Sequence, residues 1–149
     1  MAIKKVFVSF DWDNDRHYKY LLEAWHAHPE FDFVFSDTTP REINSFDVGR
    51  IKAGLTSKIK LATHTLFIVG QYANVRHAKS ALIGFTNWIN FEAYQSRQEG
   101  NNLAVIKLDN SYSVPEELTG VNYSWITDFT EKNVIAVLDH SSRNSHANF

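Results

Sequence analysis

Lys5-Val6-Phe7-Val8-Ser9-Phe10 runs directly into Asp11-Trp12-Asp13-Asn14-Asp15. An apolar, β-forming run that stops abruptly at a cluster of acids reads as a buried strand ending in a polar loop. Downstream, Tyr18, Leu21, Leu22 and Trp25 recur at helical spacing, which predicts a helix over Arg16 to His28 with Asn14 or Asp15 as N-cap and Pro29 closing it. Phe31 to Ser36 alternates like a second strand, and Asp37-Thr38-Thr39-Pro40 reads as a turn. Val48, Ile51, Leu55, Ile59 and Leu61 place a second helix between Ser45 and Ala62, with Ser45 as its cap.

His64 to Gly70 is a nearly continuous apolar run, the pattern of a central strand covered on both faces. The link from Gln71 to Gly84 has no clear period. Trp88 to Gln98 reads as a helix stopped by Gly100, with Ile89, Glu92, Ala93 and Ser96 on adjoining faces, and Leu103 to Leu108 as a fourth strand. Asp109 to Gly120 reads as loop with a turn or two of helix, and Glu131 to Leu138 as a last strand or helix, helix being preferred. Strands alternating with helices imply right-handed crossovers and a central parallel sheet of four to five strands with helices on both faces, an α/β domain. Its ligand crevice is expected beyond the carboxyl ends of the strands, near Asp11, Trp12, Asp13, Asp37, Gln71 and the start of the Trp88 helix.

The chain of 149 residues is long enough for one core and short for two. One domain over residues 1–140 is therefore expected, with 141–149 as a polar, flexible tail. No apolar run approaches the roughly 18 residues of a membrane span, and Met1 to Lys5 has no signal-type stretch, so the cytoplasm is the expected location without membrane contact. With no cysteine, disulfides, thiolate nucleophiles and cysteine-bound metals are excluded. A net charge of −2 gives no global attraction to nucleic acid, so none is expected as a partner. The seven histidines form no compact ligand set, so no metal is expected. GxGxxG and GxxxxGK[ST] phosphate cradles are absent. A phospho-receiver reading fails because Gly70 and Gln71 stand where an acceptor aspartate is required.

Two motifs carry a family resemblance. Lys5 to Asp11 resembles the first strand of TIR domains, and its continuation through Asp15 looks like the bacterial TIR-like group of Thoeris antiphage defence systems. Trp88-Ile89-Asn90-Phe91-Glu92 is similar to the TIR motif in which a tryptophan precedes the catalytic glutamate by one helical turn. The resemblance implies the flavodoxin-like TIR fold and cleavage of the nicotinamide–ribose bond of NAD+, which is substrate rather than cofactor. It also implies a cyclic or otherwise modified ADP-ribose messenger that activates a separate effector, self-association through TIR contacts, and a phage-derived trigger. One departure is the link from Gln71 to Phe85, which is longer than the usual entry into the catalytic helix.

Glycosidic cleavage of NAD+ develops an oxocarbenium-like cation, which a carboxylate near the ribose stabilises. Glu92 is the catalytic candidate; its plainer reading is a solvated helix carboxylate. Trp88, one turn earlier, either stacks on a nicotinamide or adenine ring or belongs to the core. Ser9, Phe10 and Asp11 close the first strand, where they either hold a ribose or phosphate or end the strand and cap the following helix. Arg50, Lys52 and Arg76 are each a candidate pyrophosphate partner or a solubilising charge. Two further functions fit the same fold: a non-catalytic TIR-like interaction module, which has no need of Glu92, and a domain that senses nucleotides without cleaving them.

Overall fold

The computed structural model describes residues 4–28, 31–36 and 47–144. Five strands, β1 (Lys4–Ser9), β2 (Phe33–Ser36), β3 (His64–Val69), β4 (Asn102–Lys107) and β5 (Ser124–Thr127), form one all-parallel sheet in the order β2-β1-β3-β4-β5. Helices α1 (Trp12–Trp25), α2 (Val48–Leu61), α3 (Ser80–Ile83), α4 (Trp88–Gln98) and α5 (Glu131–Asn144) connect and cover it. This is an α/β flavodoxin-like fold. Among the described residues no helix is long and apolar enough to cross a membrane.

Strand parity decides which side chains meet which helices. Val6, Val8 and Phe10 point with Leu66 and Ile68 into a core under α1 and α5, where Leu22, Val134, Val137 and Leu138 pack. Phe7 points the other way, toward Leu55 and Ile59 of α2 and Phe91 of α4. Phe67 and Val69 share that second face with Ile89 and Ala93 of α4. Ser9, two residues beyond Phe7, therefore faces α4. Because the chain leaves β1 for one edge and returns at β3 on its other side, β1 and β3 flank the topological switch point, where a crevice opens beyond their carboxyl ends.

Several elements differ from the sequence reading. Helix α1 begins at Trp12 rather than Arg16, because Asp11 and neither Asn14 nor Asp15 is its cap: the Asp11 carboxylate accepts from the Asp13 amide (3.2 Å) and the Asn14 side-chain amide (2.6 Å). The chain thus turns from strand into helix with no intervening loop. Helix α2 is capped by Asp47, whose side chain accepts from Arg50 N–H. Ser45, Pro29 and the turn at 37–40 lie outside the described residues. Phe31 precedes β2 and joins the aromatic cluster with Trp25 and Phe33. The sequence reading named no strand at Ser124–Thr127; this four-residue edge leaves Trp125 exposed under the Lys107 ammonium, so it lacks a strand's usual alternation. Helix α5 continues past residue 140 to Asn144, with Ser141 buried and both Ser141 and Ser142 donating to the Leu138 carbonyl. The Ser142 hydroxyl also meets His64 Nε2 at the opposite end of the sheet from the crevice. Residues 145–149 lie outside the described residues.

Gly70, just past β3, packs closely against α1. A Cβ there would land on the Asp15 carboxylate, well inside van der Waals contact. Asp15 is itself buried, its Oδ2 has no hydrogen-bond partner, and burial together with the nearby Asp11 charge pushes its carboxyl up to about 6. Gly70→Ala is therefore expected to cost about 2 kcal/mol in urea unfolding by overpacking. Adding Asp15→Ala should restore most of that loss. A double variant no more stable than Gly70→Ala alone would mean that the strain lies elsewhere.

Candidate active site

The crevice is a pocket of about 580 Å³, within the usual range for small-molecule sites. Three segments build it. Phe10 to Asn14 come from the β1–α1 junction, Val48 and Ile51 from α2, and Tyr72, Val75 to Lys79 and Asn87 to Ile89 from the β3–α4 link and the start of α4.

The long link is folded. Its turn at 71–74 leads to an extended stretch, helix α3, and a left-handed Gly84 that ends α3. Asn87 ties it together: its side-chain amide donates to the carbonyls of Ala73 (2.8 Å) and Val75 (2.9 Å), while its side-chain oxygen accepts from the Asn90 N–H and caps α4. One buried residue thus sets both the pocket wall and the start of the helix that carries Glu92. Sequence reasoning missed it, although an Asn immediately before a periodic helix is an N-cap signal.

Glu92 is 2% exposed, which removes the solvated-carboxylate reading. Its Oε1 accepts a hydrogen bond from the Ser9 hydroxyl at 2.6 Å, across 83 residues of sequence. Burial pushes the carboxyl up to about 8, and the hydrogen bond from Ser9 offsets part of that rise. Burial thus favours the neutral form of Glu92 near neutral pH. In the unfolded chain the same group titrates near 4.5, so this contribution to stability is complete below that pH and is lost as pH rises through about 8.

Ser9 and Glu92 are brought together, but neither lines the pocket. They stand one residue from Phe10 and one helical turn from Trp88, both of which do line it. The one proton Ser9 can donate goes to Glu92, and Ser9 is not among the residues that line the pocket. Asp11 lines the pocket while serving as the α1 cap. Trp88 stands edge-on to Phe91 (5.8 Å between ring centroids) and to His77 (6.4 Å), and it forms pocket wall. Of the three candidate cations, Arg76 lines the pocket and Arg50 and Lys52 do not. The Lys52 ammonium lies over the Phe91 ring. Among the described residues no three His, Asp or Glu side chains cluster as a metal site.

No protein-family model and no curated protein matches this sequence. Solved structures do match over nearly the whole chain. A 2-deoxyribosyltransferase from the psychrotolerant bacterium Bacillus psychrosaccharolyticus is 14% identical, with a TM-score of 0.56 over 87% of this chain and 90% of that one. A prokaryotic SEFIR domain is also 14% identical, with a TM-score of 0.52 over 94% and 96%. The likeness is one of fold. A CMP N-glycosidase from Clostridium botulinum, 13% identical with a TM-score of 0.52 over 92% and 98%, has the same architecture.

Proposed function

We propose that this chain cleaves an N-glycosidic bond and that its substrate is NAD+. The observation that carries the reading is the Ser9–Glu92 hydrogen bond, which holds a buried carboxyl one helical turn from the pocket-lining Trp88 of a nucleotide-sized pocket at the switch point of the sheet. The 2-deoxyribosyltransferase and CMP N-glycosidase neighbours, enzymes of nucleoside and nucleotide chemistry, support the bond class. The Trp88-to-Glu92 and Ser9-to-Asp11 motifs support NAD+.

In this reading the nicotinamide end enters against Trp88, and Glu92 turns from Ser9 toward the ribose. The approaching nicotinamide cation favours the ionised carboxylate that burial alone disfavours. The C1′–N bond breaks with its electron pair leaving on neutral nicotinamide, and Glu92 opposes the positive charge that develops on the ribose. Water then adds at C1′ and releases a proton, giving ADP-ribose, or a nitrogen of the same molecule closes the ring. The product acts as the messenger for a separate effector, and the TIR-like domain works self-associated after a phage-derived trigger.

Nicotinamide release from NAD+, followed by mass spectrometry with purified protein and with lysate from phage-infected cells expressing it, tests the reading. Release in either is expected; no turnover in both would leave the fold as an interaction module. The pH dependence tests the role of the proton. If free Glu92 must be ionised to act, kcat/KM rises about tenfold per pH unit below about 8 and levels off above it. A profile that instead falls above 8 would assign the Glu92 proton to a leaving base and turn the reading toward neutral nucleosides.

A further inference from the structure

We propose that Arg76, His77 and Lys79 form a phosphate arm that makes this pocket select a nucleotide diphosphate portion over a bare nucleoside. The inference rests on the N-glycosidic reading of the same pocket and adds what its outer part recognises.

The pocket lining is divided by charge along the sequence. Asp11 and Asp13 come from the β1–α1 junction, whereas Arg76, His77 and Lys79 all come from one four-residue stretch of the β3–α4 link. The acids are partly committed: both Asp11 carboxylate oxygens accept hydrogen bonds at the start of α1, where the helix dipole also favours them. The basic stretch has the opposite character. Arg76 and Lys79 are exposed at the pocket, and no nucleoside carries an anion for them to meet. A diphosphate does. A dinucleotide with a cationic ring at one end and a diphosphate in the middle matches both halves of the lining.

The stretch is also held in place before any ligand arrives. The Arg76 guanidinium donates to the Ser80 hydroxyl (3.1 Å), which orients it while using only one of its several donors. The His77 N–H donates to the Thr86 carbonyl (2.7 Å), and its Nδ1 accepts from the Lys79 N–H (2.9 Å). With Nδ1 accepting, Nε2 is the ring nitrogen left to donate, and the ring stands edge-on to Trp88 in the pocket wall. Asn87 pins the carbonyl of Val75 immediately upstream. A cationic segment already ordered by its own hydrogen bonds loses less entropy on meeting phosphate than a flexible one. The length of the β3–α4 link thereby acquires a use: it carries charge to the pocket mouth.

The test is calorimetric binding in a Glu92→Gln background, so that no turnover intervenes, with ADP-ribose and nicotinamide riboside as probes. Arg76→Gln combined with Lys79→Gln is expected to weaken ADP-ribose by about tenfold or more and nicotinamide riboside by less than about threefold. The salt dependence of ADP-ribose binding should shrink in the same variant. Arg76→Lys alone should lose less than Arg76→Gln. Equal losses on both probes, no loss on either, or no binding of ADP-ribose by the folded parent at millimolar concentration would each overturn the arm. The two proposals fail separately. Absence of NAD+ turnover in the wild type with selective ADP-ribose binding sinks cleavage and keeps the arm, whereas turnover without that selectivity does the reverse.

Discussion

Glu92→Gln is expected to lower nicotinamide release from NAD+ by about a thousandfold while the protein stays folded, the scale of removing a group that stabilises developing charge. The substitution is chosen for its isosterism. Burial favours the neutral form of Glu92 near neutral pH, so the uncharged amide fits the same space and can still accept from Ser9. Loss of activity with unchanged unfolding would therefore isolate the carboxylate's chemistry from its packing. The variant should also lose the decline of stability that Glu92 imposes as pH rises from about 4.5 through 8. Measuring release by mass spectrometry and urea unfolding at pH 6 and pH 8.5 covers both expectations. Retention of more than about a tenth of the wild-type rate would remove Glu92 from the reaction.

The second large effect is on stability. Asn87→Ala removes an N-cap, worth about 1 kcal/mol, and two hydrogen bonds from a buried amide, worth about 1 kcal/mol each. A total near 3 kcal/mol corresponds to a fall in Tm of about 10 °C for a domain of this size. Asn87→Ser keeps a capping oxygen without the two donors and should recover about 1 kcal/mol. Serine and alanine variants of equal stability would show that the cap contributes nothing. Because the same amide fixes the 73–75 wall of the pocket, binding of ADP-ribose should weaken in both variants beyond what their folded fractions explain.

The neutral Glu92 also links stability to the proposed activity. The same deprotonation that readies the carboxylate for a ribose withdraws the stabilisation its neutral form gives the fold. In the proposed reading a cationic substrate offsets that cost by supplying the missing counter-charge.

The buried strands and the longest periodic helices were legible locally, because the physics behind them is short-range. Val6 to Val8 and Leu66 to Val69 are covered on both faces and so spell their strands as unbroken apolar runs. Helix α4 announces itself through Ile89, Ala93 and Ser96. Ambiguity entered where several residues offered the same local chemistry: among Asp11, Asp13, Asn14 and Asp15, any could cap a helix, and the junction with β1 selected the first. Strand β5 was missed because a short edge strand with Trp125 outward has no core-facing period to display.

The sequence by itself determined the alternation of strands and helices, the α4 span, and the two motifs that single out Ser9 to Asp11 and Trp88 to Glu92. Only the tertiary structure decided that the Ser9 hydroxyl donates to Glu92, that Glu92 is buried with its carboxyl pushed up to about 8, and that Asn87, Arg76, His77 and Lys79 line the pocket. The physical reason is range. Periodicity and capping act within a few residues, whereas a hydrogen bond across 83 residues exists only after strand register and helix packing have set which atoms face each other.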